Sequence, residues 1–295
     1  MVIGGAGFIG SHLVDRLLAD GSAVDVIDDL SMGGLANLAD ARSVGGALKI
    51  HHLDAGSGEC SSLIGMRTPD VLFHLAAIPR GDPSAQQLAA SFATTMAVLD
   101  AARAHRVTKV VVPLPATALY GRPGSRDLPL KELPIEPRGV RGVVARAVID
   151  LLNVYRELDD LEFTVLALST VYGPRQRPAG GVVAAFQAAA TERAAPVITG
   201  DGRQTRDFLF VDDAVDAIVR AGERGSGLVV NVGTGEQTSL RDLWSSIAGR
   251  SGKDPQFRPA AGDEINRFAV SPMRARIHLS WSPWTSLTEG LMQLR

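Results

Sequence analysis

The sequence predicts an α/β fold: a doubly wound parallel sheet with a smaller C-terminal domain for a substrate. Three observations carry that expectation. Short apolar runs alternate with helix-period segments along the first two thirds of the chain, the pattern of strands joined by crossover helices. A glycine-rich turn separates the first run from the first helix. Beyond Tyr172 the alternation breaks down into an irregular stretch marked by Pro174, Pro178, Pro196, Pro255, Pro259, Pro272 and Pro283.

Val2-Ile3 ends the first apolar run, which stops at Gly4-Gly5-Ala6-Gly7-Phe8-Ile9-Gly10. Ile9, Leu13, Leu17 and Leu18 then recur at helical spacing as far as Gly21. Ala23 to Asp28 reads as a second strand that closes on an acid. Further strand-like runs follow at Leu48 to Leu53, Val71 to Leu75, Val107 to Val112 and Phe163 to Leu168, with helical patterns such as Leu88, Phe92, Met96 and Leu99 between them. Leu228 to Asn231 reads as one more strand. The expected division is residues 1–170, with a contribution from about 211–234, for the sheet domain, and residues 171–210 and 235–295 for the substrate domain.

With 45% hydrophobic and 21% charged residues over 295 positions, the composition is that of an ordinary globular protein. A net charge of −2 gives no electrostatic case for nucleic acid or an anionic membrane as partner. The single cysteine, Cys60, excludes an intrachain disulfide and a cysteine metal cluster. No run approaches ~18 apolar residues, and the chain opens on the glycine motif rather than on a leader, so the expected location is the cytoplasm. The expected partner is a small-molecule substrate, and the expected state a monomer or homodimer. Of the 30 cationic residues only Lys49, Lys109, Lys131 and Lys253 are lysine, a bias that points to a high-GC genome.

Gly4, Gly7 and Gly10 have the spacing of a tight turn that exposes bare backbone to a pyrophosphate and lets a helix pack closely. The helix from Phe8 and Ile9 onward aims its N-terminal amides and positive dipole end at that phosphate. Asp28, ~20 residues beyond the glycines, suits both hydroxyls of an adenosine ribose. It repels a 2′-phosphate and therefore favours NADH over NADPH, although a shift of the loop from Asp29 to Gly34 would seat that phosphate near Arg42. The expected cofactor is NAD(P)H, and no metal site is expected.

Gly4 to Gly10, Asp28-Asp29-Leu30-Ser31, His74-Leu75-Ala76-Ala77, Tyr120-Gly121, Val171 to Gln176, Gly200 to Phe208 and Val211-Asp212-Asp213 together resemble the extended short-chain dehydrogenase/reductases, in their nucleotide-sugar epimerase/dehydratase branch. The resemblance runs from Val2 to about Leu291. It implies a Rossmann domain in which Asp54 and Ala55 flank the adenine, Leu75, Ala76 and Ala77 line the cofactor, and the Leu168-Ser169 backbone holds the nicotinamide amide. It places Asp29 and Ser31 in the ribose loop. Arg206 and Arg267 match positions that grip the pyrophosphate of a sugar nucleotide in that family. A structural arginine paired with Asp207 or Asp212 fits Arg206 equally well.

The family's chemistry resides in a Ser/Thr four residues before the Tyr-Gly pair and in a Tyr-x-x-x-Lys on the next long helix. Here the first position is Ala116, and alignment from Leu152 to Leu158 puts Arg141 and Ala145 at the other two. The loss is independent of alignment: the residues four beyond Tyr120, Tyr155 and Tyr172 are Gly124, Asp159 and Gln176, and those four before the lysines are Gly45, His105, Asp127 and Gly249. Ser91 stands where an Asn often supports the lysine. Thr117 remains as a hydroxyl donor and Arg141 as an oxyanion stabiliser, and neither is a ready proton source. Ala116, Thr117, Tyr120 and Arg206 are the expected substrate contacts.

A general acid contributes ~10²–10⁴-fold, whereas placing donor and acceptor in near-attack geometry contributes ~7–11 kcal/mol. Reduction of an activated ketone survives loss of the acid; epimerisation starts by deprotonating a sugar hydroxyl and suffers more. Together with the high-GC bias, this leads to the expectation of an atypical NAD(P)H-dependent ketoreductase of antibiotic biosynthesis, similar to those of simocyclinone-type angucyclinone pathways. Such an enzyme reduces an aromatic polyketide ketone whose own hydroxyl supplies the hydrogen bond. The alternatives are a catalytically silent NAD-binding sensor or scaffold and a nucleotide-sugar epimerase/dehydratase.

Overall fold

The computed structural model describes residues 1–44, 47–79, 83–124, 126–132, 135, 137, 139–249, 252–260 and 265–294. In chain order the first half comprises β1 (Val2–Ile3), α1 (Phe8–Ala19), β2 (Val24–Asp28), α2 (Ala39–Ser43), β3 (Leu48–His52), α3 (Gly58–Arg67), β4 (Val71–His74), α4 (Ala85–Ala104), β5 (Lys109–Pro115), α5 (Ala116–Tyr120) and α6 (Gly139–Asp159). There follow β6 (Glu162–Leu168), β7 (Thr170–Tyr172), α7 (Val182–Thr191), β8 (Val197–Thr199), β9 (Thr205–Arg206), β10 (Phe208–Phe210) and α8 (Val211–Glu223). The chain ends with β11 (Leu228–Val232), β12 (Thr238–Ser239), α9 (Leu240–Ala248), β13 (Gln256–Arg258), α10 (Met273–His278) and α11 (Leu287–Met292).

All seven expected strands join one parallel sheet in the order β11-β6-β5-β4-β1-β2-β3. Successive residues of each strand serve opposite faces. Val2, Val26, Phe73, Val111 and Leu166 pack into one core with α1 and α8. Ile3, Ile27, Leu72, Val110, Val112 and Val165 pack into the other with α4 and α6. That two-sided burial is why the strands read as apolar runs rather than alternating ones.

The fifth strand lies further along the chain than its apolar run suggests, and it includes Pro113 and Pro115. Its pairing with β4 ends at Phe73 with Val111, while its pairing with β6 continues to Pro115 with Leu168. The prolines thus sit where one side of the strand has no neighbour and no N–H is needed.

Among the described residues, three two-stranded pairings lie outside the sheet, β7 with β10, β8 with β13 and β9 with β12. Trp281 is buried and its indole N–H donates to the Asp213 carbonyl at 2.9 Å, whereas Trp284 is 56% exposed and belongs to no core. Asp213, in the first turn of α8, accepts the backbone N–H groups of Trp284 and Thr285 and the Thr285 hydroxyl, pinning the C-terminal segment.

Burial lifts the Asp213 carboxyl from 3.8 to about 6, against those three hydrogen bonds that lower it. Because the folded pKa exceeds the unfolded one, this residue stabilises the fold most below pH 3.8 and loses that contribution as pH rises to about 6. Urea titrations from pH 4 to 7 should show Asp213→Asn flattening this part of the profile by on the order of 1–3 kcal/mol. An unchanged slope would remove Asp213 as its source.

Among the described residues, no helix is long and apolar enough to cross a membrane, and no cluster of His, Cys, Asp and Glu could hold a metal ion.

Candidate functional site

The site lies at the C-terminal ends of the parallel strands, where the glycine turn links β1 to α1. Gly4 adopts φ +79°, open to glycine at little cost. A Cβ at Gly10 would overlap the Gly4 carbonyl oxygen and lie 2.8 Å from the Gly5 Cα, so helix α1 packs against bare turn. The helix has no side-chain cap at Gly7 and no acid in its first turn, leaving its N-terminus electropositive.

Asp28 locks this cradle. One carboxylate oxygen accepts the Ala6 N–H at 2.8 Å and the other the Leu30 N–H at 2.8 Å. Asp29 turns back on its own loop, accepting from the Ser31 N–H and hydroxyl. The Ala6 carbonyl accepts from Gly34 N and from Asn37 Nδ2. Gly33 packs so tightly that a Cβ there would lie 2.5 Å from the Ala6 oxygen. The sequence reading did not single out Gly33 or Asn37; the second glycine pair after Asp28 was the available signal.

The other expected cofactor residues surround the same end of the sheet. A Cβ at Gly4 would touch the Leu75-Ala76 backbone at 3.5 Å, which sets that turn beside the glycines. Ala77 is buried, and Asp54 organises its turn by accepting from Gly56 N at 2.8 Å, with Ala55 half-buried beside it. Leu168 ends β6 and Ser169 follows it, and the buried Ser169 hydroxyl has no hydrogen-bond partner among the described residues. A capless helix, a glycine cradle and an unpartnered buried hydroxyl suit a dinucleotide: pyrophosphate at the cradle, ribose at Asp28, a carboxamide at Ser169.

The segment after β7, whose first residues belong to the Val171 to Gln176 motif, straps onto this half. Arg175 bridges Asp15 at 2.7 Å and Asp40 at 2.8 Å, and Arg177 Nη2 donates to the Gly33 carbonyl at 3.0 Å.

The chemical corner differs from expectation. Ala116 is fully buried in the core, so it offers a substrate no surface. Tyr120 is corrected as well: its hydroxyl donates to Asn231 Oδ1 at 2.6 Å, and burial raises its phenol far above the ordinary value. Asn231 donates in turn from its backbone to Glu132 Oε1 and from its side chain to the Leu130 carbonyl. That buried network leaves Tyr120 neither a base nor a contact. Thr117 and Arg141 are half-buried, on α5 and in the first turn of α6.

The buried face of α6 runs through Gly142, Ala145, Val148, Ile149 and Leu152. A Cβ at Gly142 would lie 2.6 Å from the Ala118 carbonyl, so α5 rests directly on this helix. The expected pair spaced by four, positions 141 and 145, holds Arg141 in the first turn of α6 and Ala145 on its buried face, not Tyr and Lys. Arg206 Nη1 donates to the Thr205 and Ile265 carbonyls, while Asp207 spends its oxygens on Thr234, Gly235 and Val270. Arg267 is exposed.

Residues 1–233 match the NAD dependent epimerase/dehydratase family. Among curated proteins, the UDP-glucose 4-epimerase of Mycolicibacterium smegmatis is 41% identical over 304 residues, covering 99% of this chain and 95% of that protein. Among solved structures, UDP-glucose 4-epimerase from Thermotoga maritima with UDP-glucose superposes with a TM-score of 0.92 at 31% identity, covering 99% of this chain and 96% of that one. The Thermus thermophilus UDP-glucose 4-epimerase complex with NAD gives 0.88 at 28% identity, covering 98% and 95%. These matches overturn the polyketide-ketoreductase reading and its antibiotic setting. That reading rests on missing catalytic groups and composition, whereas the matches span 99% of the chain.

Proposed function

The chain belongs to the NAD-dependent epimerase/dehydratase family and uses an NAD(P) cofactor, and from that premise we propose that it is a nucleotide-sugar enzyme of the 4-epimerase type. The observation that carries this reading is the end-to-end likeness to UDP-glucose 4-epimerases, which covers 99% of the chain and so includes the C-terminal segment beyond residue 233. When bound, NAD supplies a hydride acceptor and donor to the sugar. The glycine turn and α1 hold its pyrophosphate, Asp28 its adenosine ribose, and Ser169 its carboxamide. Arg206 and Arg267, on the substrate side, suit the diphosphate of a UDP-hexose.

Proton transfer is the weak half of this site. Thr117 can hydrogen-bond the reacting oxygen and Arg141 can stabilise developing negative charge, but neither takes a proton readily at neutral pH. The expected rate is therefore reduced by ~10²–10⁴-fold against an enzyme that keeps its acid–base pair. A second reading, a silent binder of NAD and a nucleotide sugar, is favoured by one observation, the close contact of α5 on Gly142.

One experiment separates them: calorimetric binding of NAD and UDP-glucose, with UDP-galactose formation followed over long incubations. Slow conversion supports the epimerase reading, and binding without conversion the silent one. Failure to bind any UDP-sugar overturns both.

A further inference from the structure

Residues 174–177, which lead from β7 towards α7, are fastened to three separate parts of the glycine-turn region. His12 of α1 donates from Nε2 to the Pro174 carbonyl at 3.1 Å, its ring edge-on to Phe8. Arg175 splits its guanidinium between Asp15 of α1 and Asp40 of α2, and Arg177 donates to the Gly33 carbonyl in the loop after Asp28. Gln176 ties the segment to itself, donating from Nε2 to the Val171 and Gly180 carbonyls. The backbone of Arg175 has φ +64°, a left-handed conformation that costs a side-chain-bearing residue free energy and that glycine adopts freely. A residue stays in such a conformation where its surroundings over-determine it, and such positions gather at ligand clamps and switches. Here the constraint comes from the two carboxylates. The second Asp15 oxygen, Oδ1, is buried without a partner among the described residues, so the charge of Asp15 is met through Arg175.

The loop that Arg177 holds is one wall of the cradle. Leu30 and Leu35 line the space at Asp28, and Gly34 N and Asn37 Nδ2 both donate to the Ala6 carbonyl inside the glycine turn. A dinucleotide lying along the turn is thus enclosed by a loop whose outer side is fastened by the segment after β7. We propose that Arg175 and Arg177 are positioning residues of a clasp, by which the segment leading into α7 holds this loop and α1 together over the bound dinucleotide and slows its release. Neither arginine needs to touch the cofactor: their bonds to Asp15, Asp40 and Gly33 must part before the loop swings away from α1. The inference rests on the placement of the pyrophosphate at the glycine turn given above. It assigns the rate of cofactor exchange to residues more than 130 positions away in sequence from the loop and helices they fasten.

The test is stopped-flow release: protein loaded with NADH is mixed with excess NAD⁺, and the loss of nicotinamide fluorescence gives the dissociation rate. Arg175→Gly removes the side chain while suiting the backbone at φ +64°, and Arg177→Met removes the bond to Gly33 while keeping a long apolar stem. Each should release NADH at least ~10-fold faster than the wild type, with its association rate within ~3-fold, because a lost fastening acts on departure rather than on encounter. Arg175→Lys, which keeps the charge but not the two-pronged donor, should fall between. Arg193→Gly serves as the control, since Arg193 is also left-handed at φ +52°, is exposed and makes no ion pair among the described residues. Acceleration below ~10-fold in either clasp variant overturns the proposal, as does equal acceleration in Arg193→Gly. A wild-type chain that binds no NADH strikes the pyrophosphate placement itself, and the clasp with it.

Discussion

Gly10→Ala should all but abolish NAD binding, with a loss of at least ~100-fold in affinity, equivalent to ~3 kcal/mol. The added methyl would overlap the Gly4 carbonyl oxygen and crowd the Gly5 Cα at 2.8 Å. Those neighbours are backbone, with no side-chain rotamer to yield, so α1 must move off the turn. The movement carries the uncapped N-terminus of α1 away from the pyrophosphate, and with it the field that makes the site anionophilic. Overpacking of this kind also costs about 1–3 kcal/mol of stability. Gly34→Ala is the matched control: a Cβ there meets nothing within 4 Å, and its φ of −173° is ordinary extended backbone. Calorimetry and thermal melts on the pair decide the matter, and unimpaired NAD binding by Gly10→Ala would mean that the cradle lies elsewhere.

The cofactor half was legible because its parts are local in sequence. The central strands of the parallel sheet are buried on both faces, so Val24 to Asp28 and Phe163 to Leu168 stand out as apolar runs, and the glycines and Asp28 sit at a spacing set by one turn and one helix. The small pairings were not legible. Thr205–Arg206, Thr238–Ser239 and Gln256–Arg258 are two or three residues long and mostly polar, the first two half-buried and the third exposed, too short for any period to register. Nor were the buried acids. Asp207 is satisfied by Thr234, 27 positions away, and Glu132 by Asn231, 99 positions away, partners that only the folded chain brings together. The missing Tyr-x-x-x-Lys could be counted from the sequence. Its consequence for packing could not, because that depends on how closely α5 settles on a helix carrying glycine and alanine.

Restoring the family's residues should therefore fail to restore the chemistry. In Ala116→Ser/Arg141→Tyr/Ala145→Lys, position 145 is fully buried among the apolar residues of the core that α6 closes. An ammonium placed there sits among apolar side chains, and an uncompensated buried charge costs ~3–5 kcal/mol. Ala116→Ser adds a hydroxyl to another fully buried position, at ~1–3 kcal/mol if it finds no partner. A lysine placed nearly one turn earlier, Gly142→Lys, meets a different obstacle: its Cβ would lie 2.6 Å from the Ala118 carbonyl, so α5 itself would have to shift. Both reconstructed variants should melt below the wild type and convert UDP-glucose no faster than it does. Thr117→Val, by contrast, should keep the fold and reduce any residual conversion by no more than ~10²-fold, the lower end of what a proton-transfer group contributes. A gain of ~10²-fold or more in either reconstruction would show that α5 and α6 can part to admit a lysine, and that the loss of proton-transfer groups is a matter of residues alone rather than of closed packing.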